Sequence, residues 1–431
     1  MNRRITRLTA VLFVVSTMTI LPVYTQVNIE DCQQKARENY PLVKQFGLLE
    51  KAEMYNLANA SKAYLPQLSL SAQATYQSDI TSLPPALGQA LSKAIGQPVD
   101  FESINKDQYR VVAEVNQLIW DGGGVRIQQE GIRMGTRIEK QKLEVELHML
   151  KERVNQLYFG ILALNEQRTQ LILLQNELRA NYNKVHAMWT NGVAGQPDLD
   201  LIKVELLKVK QKEAELLSAG QTYRRMLVMM TGDSTVARAE LVRPSVPLLS
   251  DTIQRPELEL LTLQKEYIST QEKSVRASNL PRAGAFFQGG YGNPGLNMLV
   301  PGFTPWYLVG ARLSWNISGF YTQKNKLNNL ATSRKTADVQ RETFLHNTRL
   351  KTEQLHQKIN KIREQLKSDD EIVMLRGQIK KAAEVRVENG TLTVNDLLRE
   401  ITAENTAIQE KKMREIELLM VMYELKIISN N

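Results

Sequence analysis

The sequence predicts a mostly α-helical chain with long antiparallel coiled-coil helices and a few strands suited to a membrane β-barrel. Three observations predict it. Residues 121–196 and 320–388 are proline-free and carry apolar residues at coiled-coil spacing. Four short segments alternate apolar and polar residues with a period of two. Both patterns occur twice, in the same order.

The repeat is read from two constant offsets. At an offset of 215, Tyr64-Leu65-Pro66 falls on Asn279-Leu280-Pro281 and Tyr76 on Tyr291. At an offset of 198, Tyr109, Val111 and Ala113 fall on Tyr307, Val309 and Ala311, and Asn191-Gly192 falls on Asn389-Gly390. The change of offset lies in one loop, between Tyr76 and Tyr109 in the first copy and Tyr291 and Tyr307 in the second. A length change confined to one loop marks a surface tip. The expected organisation is a signal peptide over 1–25, a first repeat over 26–232, a linker over 233–250 and a second repeat over 251–431.

The signal is read from Arg3, Arg4 and Arg7, the apolar stretch Leu8 to Leu21, and a small-residue cleavage site before Gln26. No later segment is long and apolar enough for a spanning helix, so the mature chain is expected to enter a membrane only as strands. A helix from about 28 to 62 is predicted to break near Pro41, which lacks an amide hydrogen and disfavours helix in the residue before it. Its counterpart spans about 252–279.

Strands follow over 66–76 and 109–119. Leu68, Leu70, Ala72, Ala74 and Tyr76 share one face, with Gln67, Ser69, Ser71, Gln73 and Thr75 on the other. In the second strand Tyr109, Val111, Ala113 and Val115 oppose Arg110, Glu114 and Asn116. The second repeat places strands at 283–291 and 307–317, with Arg312 and Asn316 on the polar side. One reading is a soluble sheet with one wet side. Strands of about ten residues with one apolar face also suit a membrane barrel, with Tyr76, Tyr109, Tyr291, Tyr307 and Trp315 as interfacial aromatics.

Beyond the strands the period changes. Leu143, Leu147, Leu150, Val154, Leu157, Ile161 and Leu164 step by alternating fours and threes, the seam of a coiled coil. Leu355, Ile359, Ile362, Leu366 and Val373 continue the pattern in the second repeat. A helix of about 70 residues is roughly 100 Å long. Each ends at Asn-Gly, and Asp-Leu opens a return helix (about 197–231 and 395–428): Asn191-Gly192-Val193 with Asp198, and Asn389-Gly390-Thr391 with Asp396. Glycine can close one helix and each aspartate is placed to cap the next.

Formal net charge is +9, but the charges are scattered and no basic face is interleaved with aromatics, so no nucleic-acid partner is expected. Cys32 is the only cysteine, which excludes an internal disulfide. Asp121-Gly122-Gly123-Gly124 lacks the lysine of a phosphate loop and reads as a strand-to-helix hinge. His148, His186, His346 and His356 form no metal-ligand spacing. Asn316-Ile317-Ser318 matches a glycosylation sequon but falls inside the expected fourth strand. No nucleophile–base pair stands out, so no enzyme, metal or cofactor is expected.

With these elements in order, the sequence resembles the TolC-type outer-membrane efflux protein family. The likeness covers nearly all of the mature chain. It rests on Ala36-Arg37-Glu38-Asn39-Tyr40-Pro41, Leu65-Pro66-Gln67-Leu68, Ile119-Trp120-Asp121-Gly122-Gly123, and the two Asn-Gly…Asp-Leu turns. It implies a homotrimer in the bacterial outer membrane, its helices forming a periplasmic α-barrel. Each protomer would give four strands to a shared 12-stranded β-barrel. Four tilted strands cannot close a barrel, whereas three sets can.

The resemblance further implies a passive exit duct for small molecules or exported protein, of a tripartite efflux or type I secretion system. Asn191, Gly192, Val193, Asn389, Gly390 and Thr391 would dock a periplasmic adaptor that links to an inner-membrane pump. Asp396 matches the first entrance aspartate of the best-known member. The second falls on Arg399, and that member's tyrosine and arginine fall on Val387 and Leu392. Asp198 occupies the corresponding place in the first repeat. The alternative is a soluble periplasmic coiled-coil scaffold or adaptor.

Overall fold

The computed structural model describes residues 26–82, 84–98, 104–250 and 252–429. The expected signal peptide lies outside them. In chain order the elements are β1 (Gln26–Val27), α1 (Ile29–Asn39), α2 (Lys44–Ser61), β2 (Gln67–Tyr76), α3 (Pro85–Ile95), β3 (Asp107–Trp120), α4 (Gly124–Thr190) and α5 (Gln196–Thr231). They continue with β4 (Glu240–Leu241), α6 (Pro256–Ala277), β5 (Arg282–Asn293), β6 (Thr304–Ser314), α7 (Gly319–Glu388) and α8 (Val394–Ser429). The break at Pro41 is a short 3-10 turn, Pro41–Val43. Residues with no counterpart in the sequence reading are α3, inside the long loop, and the β1–β4 pair.

The chain forms two compact units, and each draws on both sequence repeats. One contains residues 26–40 with 150–249 and 355–427. Its interior is a cluster of Ile29, Cys32 and Ala36 from α1, Val154, Tyr158, Phe159 and Ile161 from α4, Leu227 from α5 and Tyr423 from α8. The coiled-coil stripe read in α4 is therefore the buried face: Leu143, Leu147, Leu150, Val154, Leu157 and Ile161 are all buried. β1 and β4 pair in parallel, and the buried Tyr158 hydroxyl lies 2.8 Å from the Val27 carbonyl and 2.7 Å from that of Val242. Arg224 donates to the carbonyls of Val236 and Ala239, tying α5 to the turn that follows it. Burial pushes the Cys32 thiol up to about 12, as expected of a packed helix residue rather than a reactive one.

The other unit holds 41–149 and 250–354. Its sheet is antiparallel throughout, in the order β2-β3-β5-β6. The register sets Leu70 opposite Ala113, Val111 opposite Tyr291 and Phe287 opposite Val309, so the alternation read in each strand combines into one apolar face. β3 turns into α4 through the glycine hinge. Asp121 accepts from the amides of Gly123 at 3.0 Å and Val125 at 2.6 Å, and from the Tyr64 hydroxyl at 3.1 Å. Gly122 and Gly123 have positive φ there.

The fourth strand ends three residues earlier than the sequence reading placed it, at Ser314. Trp315 has left the ladder: its indole Nε1 donates to the Asn279 carbonyl at 2.9 Å, and its ring meets Phe320 edge-on. Ile317 and the Asn316-Ile317-Ser318 sequence accordingly sit in the turn into α7, not in a strand. Among the described residues no helix is long and apolar enough to cross a membrane.

Candidate functional site

Two surfaces stand out, one in each unit. The first is the pair of helix-turn-helix tips. α4 and α7 are closed by the same device. Gly192 donates to the Trp189 carbonyl at 3.0 Å and Val193 to that of Met188 at 2.8 Å. Gly390 donates to Val387 at 2.9 Å and Thr391 to Arg386 at 2.8 Å. These two bonds, with φ of +76° and +68° at the glycines, define a Schellman ending.

The aspartates that open the return helices sit three positions beyond the N-cap, not at the N-cap expected of them. In α5 the cap is Gly195, and Asp198 is the third helical residue, accepting from the Gly195 amide at 2.9 Å. In α8 Thr393 lies before the first residue. Asp396 donates its amide to Thr393 Oγ1 at 3.1 Å and accepts that hydroxyl at 2.7 Å. This is the acidic half of a capping box: three residues in, a carboxylate reaches back while still favoured by the helix dipole. Arg399, largely exposed, places its guanidinium 3.8 Å from the Asp396 carboxylate.

The two tips pack together. Leu178 and Val185 of α4, Leu199 and Ile202 of α5, Val387 of α7, and Leu397 and Ile401 of α8 share one apolar cluster, with Leu392 against it. Val387 and Leu392 thus hold the tips together by packing, in keeping with their departure from the tyrosine and arginine of the family's best-known member. Ion pairs add to the seam. Lys184 lies 3.2 Å from Glu388, and Lys380 lies 2.8 Å from Glu177 while also contacting Glu404. The Lys380 network, which joins three helices, had no signal in a sequence where most helix faces carry charge. The structure pairs Asp396 with Arg399 and leaves Asp198 in its own turn.

The second surface is the sheet. Its apolar face is uncovered: Leu68 and Leu70 are each 75% exposed, Leu313 is 73% and Val309 68%. An uncovered apolar surface of this kind marks contact with a membrane or a partner. Tyr76, Tyr109 and Tyr291 gather toward the loop end of this face, where Phe303 stacks on Tyr109 and Tyr291 at centroid separations of 6.3 and 5.5 Å. Tyr307 lies opposite Gly289 on the same face. Trp120 and Trp315 lie toward the helix end. Trp120 and Phe303 were not expected in these two groups: a strict period of two puts Trp120 on the other face, and the register shift between Leu118 and Trp120 sets it opposite Ala283. The opposite face carries Gln67, Ser69, Ser71, Gln73, Arg110, Glu114 and Arg312.

Among the described residues no group of His, Cys, Asp or Glu is arranged to hold a metal. His148 is buried, and His186 lies between the rings of Tyr182 and Trp189.

No family model matches this sequence, and no curated protein does. Solved structures do. CusC, described in terms of folding and transmembrane channel formation, superposes with a TM-score of 0.70 at 11% identity, over 94% of this chain and 92% of that one. The CmeC outer membrane channel of Campylobacter jejuni gives 0.63 at 14% identity, over 93% and 85%. The outer membrane protein VceC of Vibrio cholerae gives 0.63 at 13%, over 93% and 94%. The chain has the TolC-type outer-membrane channel fold.

Proposed function

We propose that three copies of this chain form a passive exit duct in the bacterial outer membrane, the outermost part of a tripartite efflux or type I secretion system. One observation carries this reading: a four-stranded antiparallel sheet with an uncovered apolar face and two unpaired edges, β2 and β6. Open edges are not tolerated in lipid, and three such sheets joined edge to edge would leave none. The lipid face would be the apolar one, between belts of Tyr76, Tyr109, Tyr291 and Phe303 at one side and Trp120 and Trp315 at the other. The polar face would line the lumen. The fold likeness to outer-membrane channels supports the same assignment.

In this reading the tips around Asn191, Gly192, Val193 and Asn389, Gly390, Thr391 meet a periplasmic adaptor protein, and through it an inner-membrane pump. Asp396, Asp198 and Arg399 line the periplasmic entrance. The chain supplies a wall and a mouth, and no chemistry of its own. A soluble periplasmic scaffold would have no use for the uncovered sheet face.

The test combines location, assembly and conduction. The mature protein should remain with the outer membrane after osmotic shock, migrate as a trimer in detergent, and give conductance steps in planar bilayers. Release with the periplasmic fraction, or a detergent-purified monomer, overturns the reading. A photo-crosslinker at Gly192 or Gly390 should capture an adaptor with a long helical hairpin. A crosslinker within β2 should capture a second copy of this chain.

A further inference from the structure

The polar face of the sheet has a charge imbalance that the duct reading does not use. The strand residues on that face include Arg110, Arg282 and Arg312 against a single acid, Glu114. Asn116 donates to the Glu114 carboxylate at 2.9 Å. None of the three arginines has an ion-pair partner among the described residues.

Two of them converge. Arg282 is opposite Ser314, and Arg312 is opposite Gly284, which makes the arginines diagonal neighbours on adjacent strands. Like charges so placed repel each other unless an anion lies between them. Both line one cavity of about 230 Å³, together with Gln67, Asn116, Gln117 and Phe286. The cavity has amide, hydroxyl and guanidinium groups and no carboxylate in its wall.

The aromatic member is held in place. Phe286 lies against Gly310, where a Cβ would come within 2.8 Å of the ring, so any other residue there would displace it. The Arg312 guanidinium sits over the Phe286 ring at 4.9 Å from its centroid. Stacking of this kind fixes a guanidinium's plane and leaves its edge N–H groups free to donate. Two guanidinium edges, the Ser314 hydroxyl and a partly exposed ring match a planar aromatic bearing a carboxylate, sulfonate or phosphate.

We infer that this cavity, repeated in each protomer, is a binding site for aromatic organic anions, and that anions of this class are cargo of the duct. The cargo statement rests on the duct reading; the binding site does not. Rings of arginine in a water-filled pore favour anions by the same electrostatics.

The test has two arms. In the first, the detergent-purified full chain is dialysed to equilibrium against 2-naphthalenesulfonate, and separately against 2-naphthyltrimethylammonium. The sulfonate should bind and the ammonium should not. R282Q and R312Q should each weaken sulfonate binding about tenfold, the value of one charge-assisted contact. F286L should weaken it less. Each variant is checked for wild-type elution volume and circular dichroism. Equal binding of both probes, or sulfonate binding unchanged in R282Q/R312Q, overturns the site.

In the second arm, reversal potentials in a KCl gradient should shift toward potassium preference in R282Q/R312Q relative to wild type. The sulfonate should block conductance from either side. Specific binding without conductance would refute the duct and the cargo assignment while the site stands. Conductance that ignores the sulfonate, with a reversal potential unchanged in R282Q/R312Q, would refute the cargo assignment while the duct stands.

Discussion

Gly192 and Gly390 occupy one structural position in two copies of the same turn. Each follows an asparagine, each has positive φ (+76° and +68°), and each donates to the carbonyl three residues before it. A Cβ at either would meet nothing within 4 Å. The requirement for glycine is therefore purely conformational. Gly390→Ala should cost about 1 kcal/mol at this turn, and Gly390→Asn less, because asparagine tolerates the left-handed region. Hydrogen exchange at the amides of residues 390 and 391 should quicken about fivefold in the alanine variant. Equal exchange in both variants would show that the turn does not depend on its backbone angle.

That turn also shows how far the sequence could be read. Asn-Gly is a local signal, since it encodes a backbone angle, and it placed both helix ends within a residue. The strands were legible for the same kind of reason: a period of two decides the face of Leu70 or Val309 whatever the neighbours are. What failed was set by distant contacts. Trp315 keeps the alternation, yet it leaves the strand because its indole finds the carbonyl of Asn279, 36 residues away in sequence. Asp198 and Asp396 were recognised as helix starters. Their true place is three residues further in, since Gly195 and Thr393 are the preceding caps. The tip network around Lys380 and the arginine pair around Phe286 each depend on residues from different strands or helices, and no local pattern reports them.

Lys35 and Asp233 are 198 residues apart and lie 2.6 Å from each other. The Lys35 ammonium, with the hydroxyl and amide of Thr235, holds the Asp233 carboxyl down to about 2 from an ordinary 3.8. A depressed carboxyl stabilises the fold above its unfolded value, and that contribution disappears as pH falls from about 3.8 through about 2. Asp233→Asn should therefore lower stability by about 1 kcal/mol at neutral pH, a figure discounted for the exposed lysine. The gap between variant and wild type should close in acid. Melting temperature measured against pH checks this, and a gap that persists to pH 2 would mean that the loss is not electrostatic.

Lys380 bridges Glu177 of α4 and Glu404 of α8 from its place on α7. Burial works against its charge, but the bonds to both carboxylates outweigh it and raise the ammonium above its usual range. A raised lysine contributes stability below its unfolded value and loses it only as pH climbs through the higher folded one. Lys380→Met removes the cation and leaves two carboxylates facing each other. The loss should be about 2 kcal/mol near neutral pH, between the values for surface and fully buried pairs. If Lys380→Met is as stable as wild type at pH 8, the network contributes no cohesion to the tips.

Asp396 and Arg399 face one another at 3.8 Å on the first turn of α8, and the two substitutions there should act in opposite directions on the proposed entrance. Three Asp396 carboxylates around a narrow mouth would attract a multivalent cation, while three Arg399 guanidiniums would partly cancel that field. Asp396→Ala should weaken block of single-channel current by hexamminecobalt(III) about tenfold. Arg399→Ala should strengthen it by a similar factor, since it frees the carboxylates from their local counter-charge. The effect should fall in high salt, because the charges are exposed. Circular dichroism and trimer migration serve as controls for both variants, since Asp396 also accepts the Thr393 hydroxyl that begins the helix. Opposite shifts would place this pair at the constriction. Block unchanged in Asp396→Ala would remove these residues from the conducting path, whatever the rest of the duct does.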